Sequence, residues 1–357
     1  MTRKENFLDF KNQIDNRIEW IDFAKGIGII MVVWAHSAGP GSNYIEQFHM
    51  PLFFILSGIL YKEKEIKEYI LGKVISLYIP FAVWNVLFEI IQFFKFNYPH
   101  THGELTLLII KTLLLLEKNS LFMGATWFLS SLFATEIFFR IVRQLIKGDK
   151  LHRVVEIALA LCFAIVGFSF NFPYRISRTL ILGVFYVIGI NINVYAKREC
   201  KVRHDIIGAL VMFVLFFFIA NNNYAYLGDN QYSSPELFVV GAFLASGGVI
   251  LSSKVICLLA SNNKNIWPAK EVIVWLGRNS KEVVIWQFVF FRPIIIVQLI
   301  IAGENWRKFM NYYPVYDSSN MWWLVYCVAG LFIPILWGMI LKKLEIKVMM
   351  FAKTMRD

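Results

Sequence analysis

The chain has 357 residues, of which 57% are hydrophobic, 17% aromatic and 17% charged, and its mean hydropathy is +0.55, against roughly 45–50% apolar and 25% charged residues in soluble domains. A soluble single-domain enzyme is excluded, because 33 Phe, 11 Trp and 15 Tyr are more than one core of this size can hide, whereas they suit a surface facing lipid. The net charge of +11 is dispersed in short Lys and Arg clusters between apolar runs, with no basic domain to present it, so no nucleic-acid partner is expected.

A bilayer core of about 30 Å takes about 20 mostly apolar residues per helix. On that template the chain predicts ten spans, near 20–38, 46–61, 74–96, 121–146, 152–170, 176–195, 205–220, 236–258, 280–302 and 321–341. Segment 104–117 is apolar but short and contains Lys111, which reads as an interfacial or re-entrant helix. The expected fold is an all-α polytopic helix bundle, one membrane domain over 1–357 with a cytoplasmic N-terminal segment at 1–19 and a cytoplasmic tail at 342–357. With the N-terminus inside, most Lys and Arg fall in inner segments, and only Lys111, Lys118, Arg175, Arg178, Arg307 and Lys308 fall in outer ones, as the positive-inside rule requires. A secretory signal is a poor reading of the start, because Asp22 and Lys25 interrupt the apolar stretch and another span follows. Cys162, Cys200, Cys257 and Cys327 are far apart, so neither a zinc site nor a disulfide framework is read, and no metal is expected.

Charged groups inside a span are costly and are the default functional candidates. In the first span, Lys25 and His36 are close to three full turns apart and share a face, separated by roughly 16 Å along the axis. Asp22 lies near the same stripe. Two readings stay open: a site reaching across most of the bilayer, or an Asp22–Lys25 surface pair with His36 at the outer interface. The second span opens QFHMPLFFILSGILY, which puts His49 at the outer level of His36, and Ser57 and Gly58 mid-membrane where small residues permit close approach. His49 is either a catalytic or substrate-binding group or an interfacial hydrogen bonder; neutral imidazole is the usual general base for a hydroxyl at neutral pH. In the span near 121–146, Trp127, Ser131 and Thr135 form a stripe suited to a sugar or to ordinary helix packing, and Glu136 is expected to pair with Arg140 at helical spacing.

These residues resemble the integral membrane acyltransferase 3 family, whose members include O-acetyltransferases of bacterial surface polysaccharides, and the likeness covers most of the chain. The family's Arg or Lys, ten residues, then His, is matched by Lys25 and His36. FHMPLFFILSG resembles the second-span signature, ATWFLSSLF the Trp-Phe-Leu segment, and LGRNSKEVVIWQ the late Gly-x-Asn-Ser motif. Two positions depart: Ser76 stands where a second basic residue often follows Lys73 before Pro80, and Gln287 stands ten residues after Gly277 where His is common.

The resemblance implies an acyl-coenzyme A donor, usually acetyl-CoA, taken from the cytoplasm as a substrate with no bound cofactor, and a hydroxyl of a glycan or lipid-linked saccharide as acceptor. It implies His36 as catalytic base or transient acyl carrier, His49 and Trp127 toward the acceptor, and Arg17, Lys25 and Lys73 holding coenzyme phosphates. The expected location is the bacterial inner membrane. A second class stays open, a transporter or carrier of saccharides or small anionic solutes built from the same bundle with intramembrane Lys, Asp and His.

Overall fold

The structure, a computed structural model, describes residues 18–96, 100–116, 122–146, 148–262 and 267–354. The helices are α1 (Glu19–His36), α2 (His49–Ile59), α3 (Ile66–Lys73), α4 (Ile79–Phe96), α5 (His102–Leu113), α6 (Trp127–Leu145), α7 (Asp149–Ser169), α8 (Ile176–Ala196), α9 (Val202–Asn222), α10 (Pro235–Asn262), α11 (Trp267–Arg278), α12 (Ser280–Ile301) and α13 (Trp322–Thr354). A two-stranded antiparallel hairpin, β1 (Ala225–Tyr226) and β2 (Gln231–Tyr232), lies between α9 and α10. The all-α polytopic bundle is borne out.

Among the described residues, eight helical stretches are long and apolar enough to cross a membrane, and each coincides with one of the ten expected spans. The other two expected spans form α1 and α2. Helix α1 carries Glu19, Asp22 and Lys25 within its first seven residues, and α2 is only 11 residues long. Both are wrapped by the longer helices, and every residue of α2 except Ser57 is buried. Segment 104–117 yields the 12-residue α5, about 18 Å long, too short to span. Its start is dictated locally: the Thr101 side chain accepts from the Glu104 amide while Glu104 accepts from the Thr101 amide, a reciprocal capping box.

Lipid tails are as apolar as the helices, so burial alone does not drive these helices together, and small residues that let backbones approach do. A methyl on Gly58 would lie 2.2 Å from the Tyr186 carbonyl oxygen, and one on Gly189 would lie 2.2 Å from that of Ile55. This crossing of α2 and α8 sits where Ser57 and Gly58 were expected to allow it. Gly26 and Gly277 do the same for α1 and α11, with the Gly277 position 1.8 Å from the Asp22 carbonyl oxygen. That close crossing gives the late Gly-x-Asn-Ser segment a physical reason for its glycine.

A π-helical turn over Val74–Tyr78 joins α3 to α4. Pro80 has no N–H to offer the carbonyl four residues earlier, that of Ser76, and an inserted π turn is a common way for a helix to absorb such a break. The turn lies directly after Lys73.

Candidate active site

The chain alternates so that two sets of side chains gather at opposite ends of one seam formed by α1, α2, α6 and α12. At one end, Lys25, Ser57, Lys73, Ser76, Glu136 and Lys281 surround a cavity of about 270 Å³. A second cavity of about 290 Å³ adjoins it, sharing Lys25, Leu60, Ser280 and Lys281 and adding Asp22 and Arg278. At the other end, His36, His49 and Trp127 line a pocket of about 250 Å³ together with Arg175, Arg178 and Tyr313.

The lysine-rich end differs from expectation in its pairs. Glu136 does not pair with Arg140: its carboxylate lies 2.7 Å from Lys73 Nζ and accepts from the Ser57 hydroxyl, while Arg140 donates to the Lys64 carbonyl oxygen at 2.7 Å. Helical spacing brings Glu136 and Arg140 onto one side of α6, but Glu136 is buried at 1% exposure, and the neighbouring Lys73 reaches it from across the seam. Asp22 accepts from Arg278 Nε at 3.1 Å, so its basic partner is on α11. Arg17 lies outside the described residues.

At the histidine end, His36 Nδ1 is 3.0 Å from Gln287 Oε1 on α12, and the His36 ring packs 4.9 Å from that of Phe288. The His49 and His36 ring centroids are 6.5 Å apart. The His49 Nδ1–H donates to the Ile45 carbonyl oxygen at 2.8 Å, which turns Nε2 toward Glu46, 4.0 Å away. Of the stripe on α6, only Trp127 faces the pocket. Ser131 shares a 2.7 Å hydrogen bond with the Thr179 hydroxyl of α8, so it serves helix packing. The β1–β2 hairpin covers the pocket with Tyr226 and Asp229.

The two ends nearly meet. On α2, Met50 lines one pocket and Phe53 the other, and on α6 the change occurs between Trp127 and Phe128. The Phe53 and Phe128 rings, 5.4 Å apart, line the lysine-rich cavity at this boundary, less than one helical turn of about 5.4 Å along α2 from Met50.

Sequence reasoning brought Lys25, Lys73, His36, His49 and Trp127 to this seam. It missed Gln287 as the partner of His36, and it counted Arg175 and Arg178 only as outer-loop charge. Their signal was available: they are among the few cations on the side where Lys and Arg are scarce.

Comparison with known proteins places residues 18–341 in a match to the family described as Acyltransferase domain. The chain is similar to Nodulation protein NolL of Mesorhizobium japonicum, 23% identical over 82% of this chain and 81% of the relative. It is also similar to Nodulation protein NolL of Sinorhizobium fredii, 24% identical over 82% of each. No solved structure matches the chain.

Proposed function

Taking as its premise that the chain belongs to the Acyltransferase domain family and is a multi-pass membrane acyltransferase, we propose that it moves an acetyl group from cytoplasmic acetyl-CoA to a hydroxyl of a cell-surface glycan or lipid-linked saccharide. The observation that carries this reading is the seam itself: a cavity mouth lined by Lys25, Lys73, Lys281 and Arg278 at one end and a histidine pocket at the other, with Met50 and Phe53 of α2 lining one pocket each. Cations are the natural partners of coenzyme phosphates, and the largely apolar wall beyond them, Phe53, Leu129, Leu132 and Val284, suits a pantetheine arm. The roughly 16 Å from Lys25 to His36 is of the order of that arm's length. In this reading the lysine-rich end faces the cytoplasm of a bacterial inner membrane, and both termini lie on that side.

With the Gln287 amide oxygen facing the ring, His36 Nδ1 carries the hydrogen and Nε2 is left with its lone pair. That nitrogen takes the proton of the acceptor hydroxyl as the oxygen attacks the thioester carbonyl. The tetrahedral adduct then breaks its carbon–sulfur bond, the ester remains on the sugar, and the imidazolium returns its proton to the leaving coenzyme thiolate. His49 and Trp127 line the space where the acceptor would lie, and Arg17 belongs with the donor-binding cations.

The test is transfer of radiolabelled acetyl from acetyl-CoA into membrane glycolipid or polysaccharide by inverted vesicles carrying the wild type or His36→Ala at matched expression. Label incorporated by the wild type alone is the expected result. Retention of activity within a few-fold in His36→Ala overturns the role of His36. No label from either, together with saccharide uptake by the wild-type vesicles, moves the chain to the transporter class.

A further inference from the structure

The histidine pocket holds cations that base-assisted acyl transfer to a hydroxyl does not need. The Arg175 and Arg178 guanidinium carbons lie over the Trp127 ring at 5.2 and 5.8 Å from its centroid. Arg178 makes no hydrogen bond or ion pair with any described residue, and only Asp229, Tyr226 and Tyr232 act on it at longer range. The carboxylate nearest the histidines, that of Glu46, is turned toward His49.

Helix position and backbone both disfavour this placement. Arg178 stands in the first turn of α8, where the helix dipole opposes a cation. Tyr174 and Arg175, which precede that turn, both take left-handed backbone with φ of 57° and 64°, a conformation that residues with a Cβ adopt at a cost and that gathers at functional sites. In the orientation proposed above, both arginines also stand on the side that ordinarily lacks Lys and Arg. Trp127 holds the two planar guanidinium groups in place, and the N–H fork of Arg178 is left for a planar or tetrahedral anion.

We propose that this pocket receives an anionic saccharide, a hexose bearing a carboxylate or a phosphate, held by Arg178 on the Trp127 ring with a free hydroxyl presented to His36. The inference rests on the acyltransferase reading for what happens to that hydroxyl, and on the pocket alone for the charge. The volume of about 250 Å³ falls below the roughly 300–1,000 Å³ of pockets for drug-sized ligands, which fits one sugar residue rather than a longer oligosaccharide.

The experiment is calorimetric titration of the purified full-length protein in lipid nanodiscs with glucuronate, glucose 1-phosphate, glucose and inorganic phosphate. The expected result is binding of one or both sugar anions, with glucose at least about tenfold weaker, since a charge-assisted hydrogen bond is worth that much or more. Binding of glucuronate alone assigns a carboxylate, and of glucose 1-phosphate alone a phosphate; either supports the proposal. Arg178→Gln should weaken the anion by at least about tenfold, and Arg178→Lys by less. If Arg178→Gln does not fold, the wild type still decides, because binding of a sugar anion that weakens as salt rises from about 0.05 to 0.5 M is required. The proposal is overturned by glucose binding as tightly as the anions, by inorganic phosphate binding as tightly as either sugar anion, by full binding in a folded Arg178→Gln protein, or by no binding of a sugar anion up to about 10 mM. Anion binding without acyl transfer to any acceptor would overturn the acyltransferase reading and leave this one standing. Acyl transfer to a neutral sugar undiminished in Arg178→Gln would do the reverse.

Discussion

His36 Nδ1 and Gln287 Oε1 are 3.0 Å apart, linking the last residue of α1 to the interior of α12 across 251 positions of sequence. Gln287 is fully buried, so its side chain is held by packing and can fix both the plane and the tautomer of the imidazole. The position that departs from the family pattern thus holds the group that orients the candidate base.

Gln287→Ala is expected to lower turnover of acyl donor by between about ten- and a hundredfold with the donor KM unchanged, since a misaligned base loses part of the 10²–10⁴-fold that general base catalysis supplies. Steady-state kinetics on reconstituted protein checks this. Unchanged kcat would mean that Phe288 and the helix termini alone hold the ring.

Lys73 and Glu136 form a pair in which the acid is buried and the lysine is half-buried, at 1% and 29% exposure. Removing the lysine alone strands a carboxylate, so Lys73→Ala should cost about 2–4 kcal/mol of stability, read as a lowered melting temperature. Lys73→Ala with Glu136→Gln should recover most of that loss while the donor KM stays raised. If the double variant regains the donor KM as well, Lys73 is structural only.

Gly277→Ala sets a methyl against the Asp22 carbonyl oxygen and must push α11 away from α1 beside the lysine-rich mouth. Overpacking of this kind costs about 1–3 kcal/mol, and the donor KM should rise with it. Gly72→Ala is the control, because its methyl meets nothing within 4 Å; it should be neutral or stabilising by up to about 1 kcal/mol. Equal melting temperatures for the two variants would contradict the crossing geometry.

Thr112 on α5 donates to Glu89 on α4 at 2.6 Å, and both residues are buried. Thr112→Val leaves the carboxyl without that donor and should cost about 1–3 kcal/mol, whereas Thr112→Ser should cost less. The melting temperature checks this: it should fall in the valine variant and less in the serine variant.

Local physics settled much of this protein before any packing was known. Hydropathy over windows of about 20 residues located the spans, because a helix in lipid must satisfy its backbone internally whatever its neighbours are. The 100° step of the α-helix put Lys25 and His36 on one face, and the Thr101-x-x-Glu104 box set the start of α5. Each of these is a property of a single helix or its end, and so is legible in a run of adjacent residues.

What tertiary structure decided is which faces meet. Glu136 had an attractive neighbour at helical spacing in Arg140, yet the rotation of α6 against the α3–α4 junction gave it Lys73 and Ser57. Asp22 found Arg278 on α11, His36 found Gln287 on α12, and Arg175 and Arg178 came to rest on Trp127 of α6. These pairings depend on helix rotation and depth, set by glycine contacts such as Gly58 against Tyr186 and Gly277 against Asp22. A helical period fixes the angle between residues of one helix and carries no information on the angle between two helices.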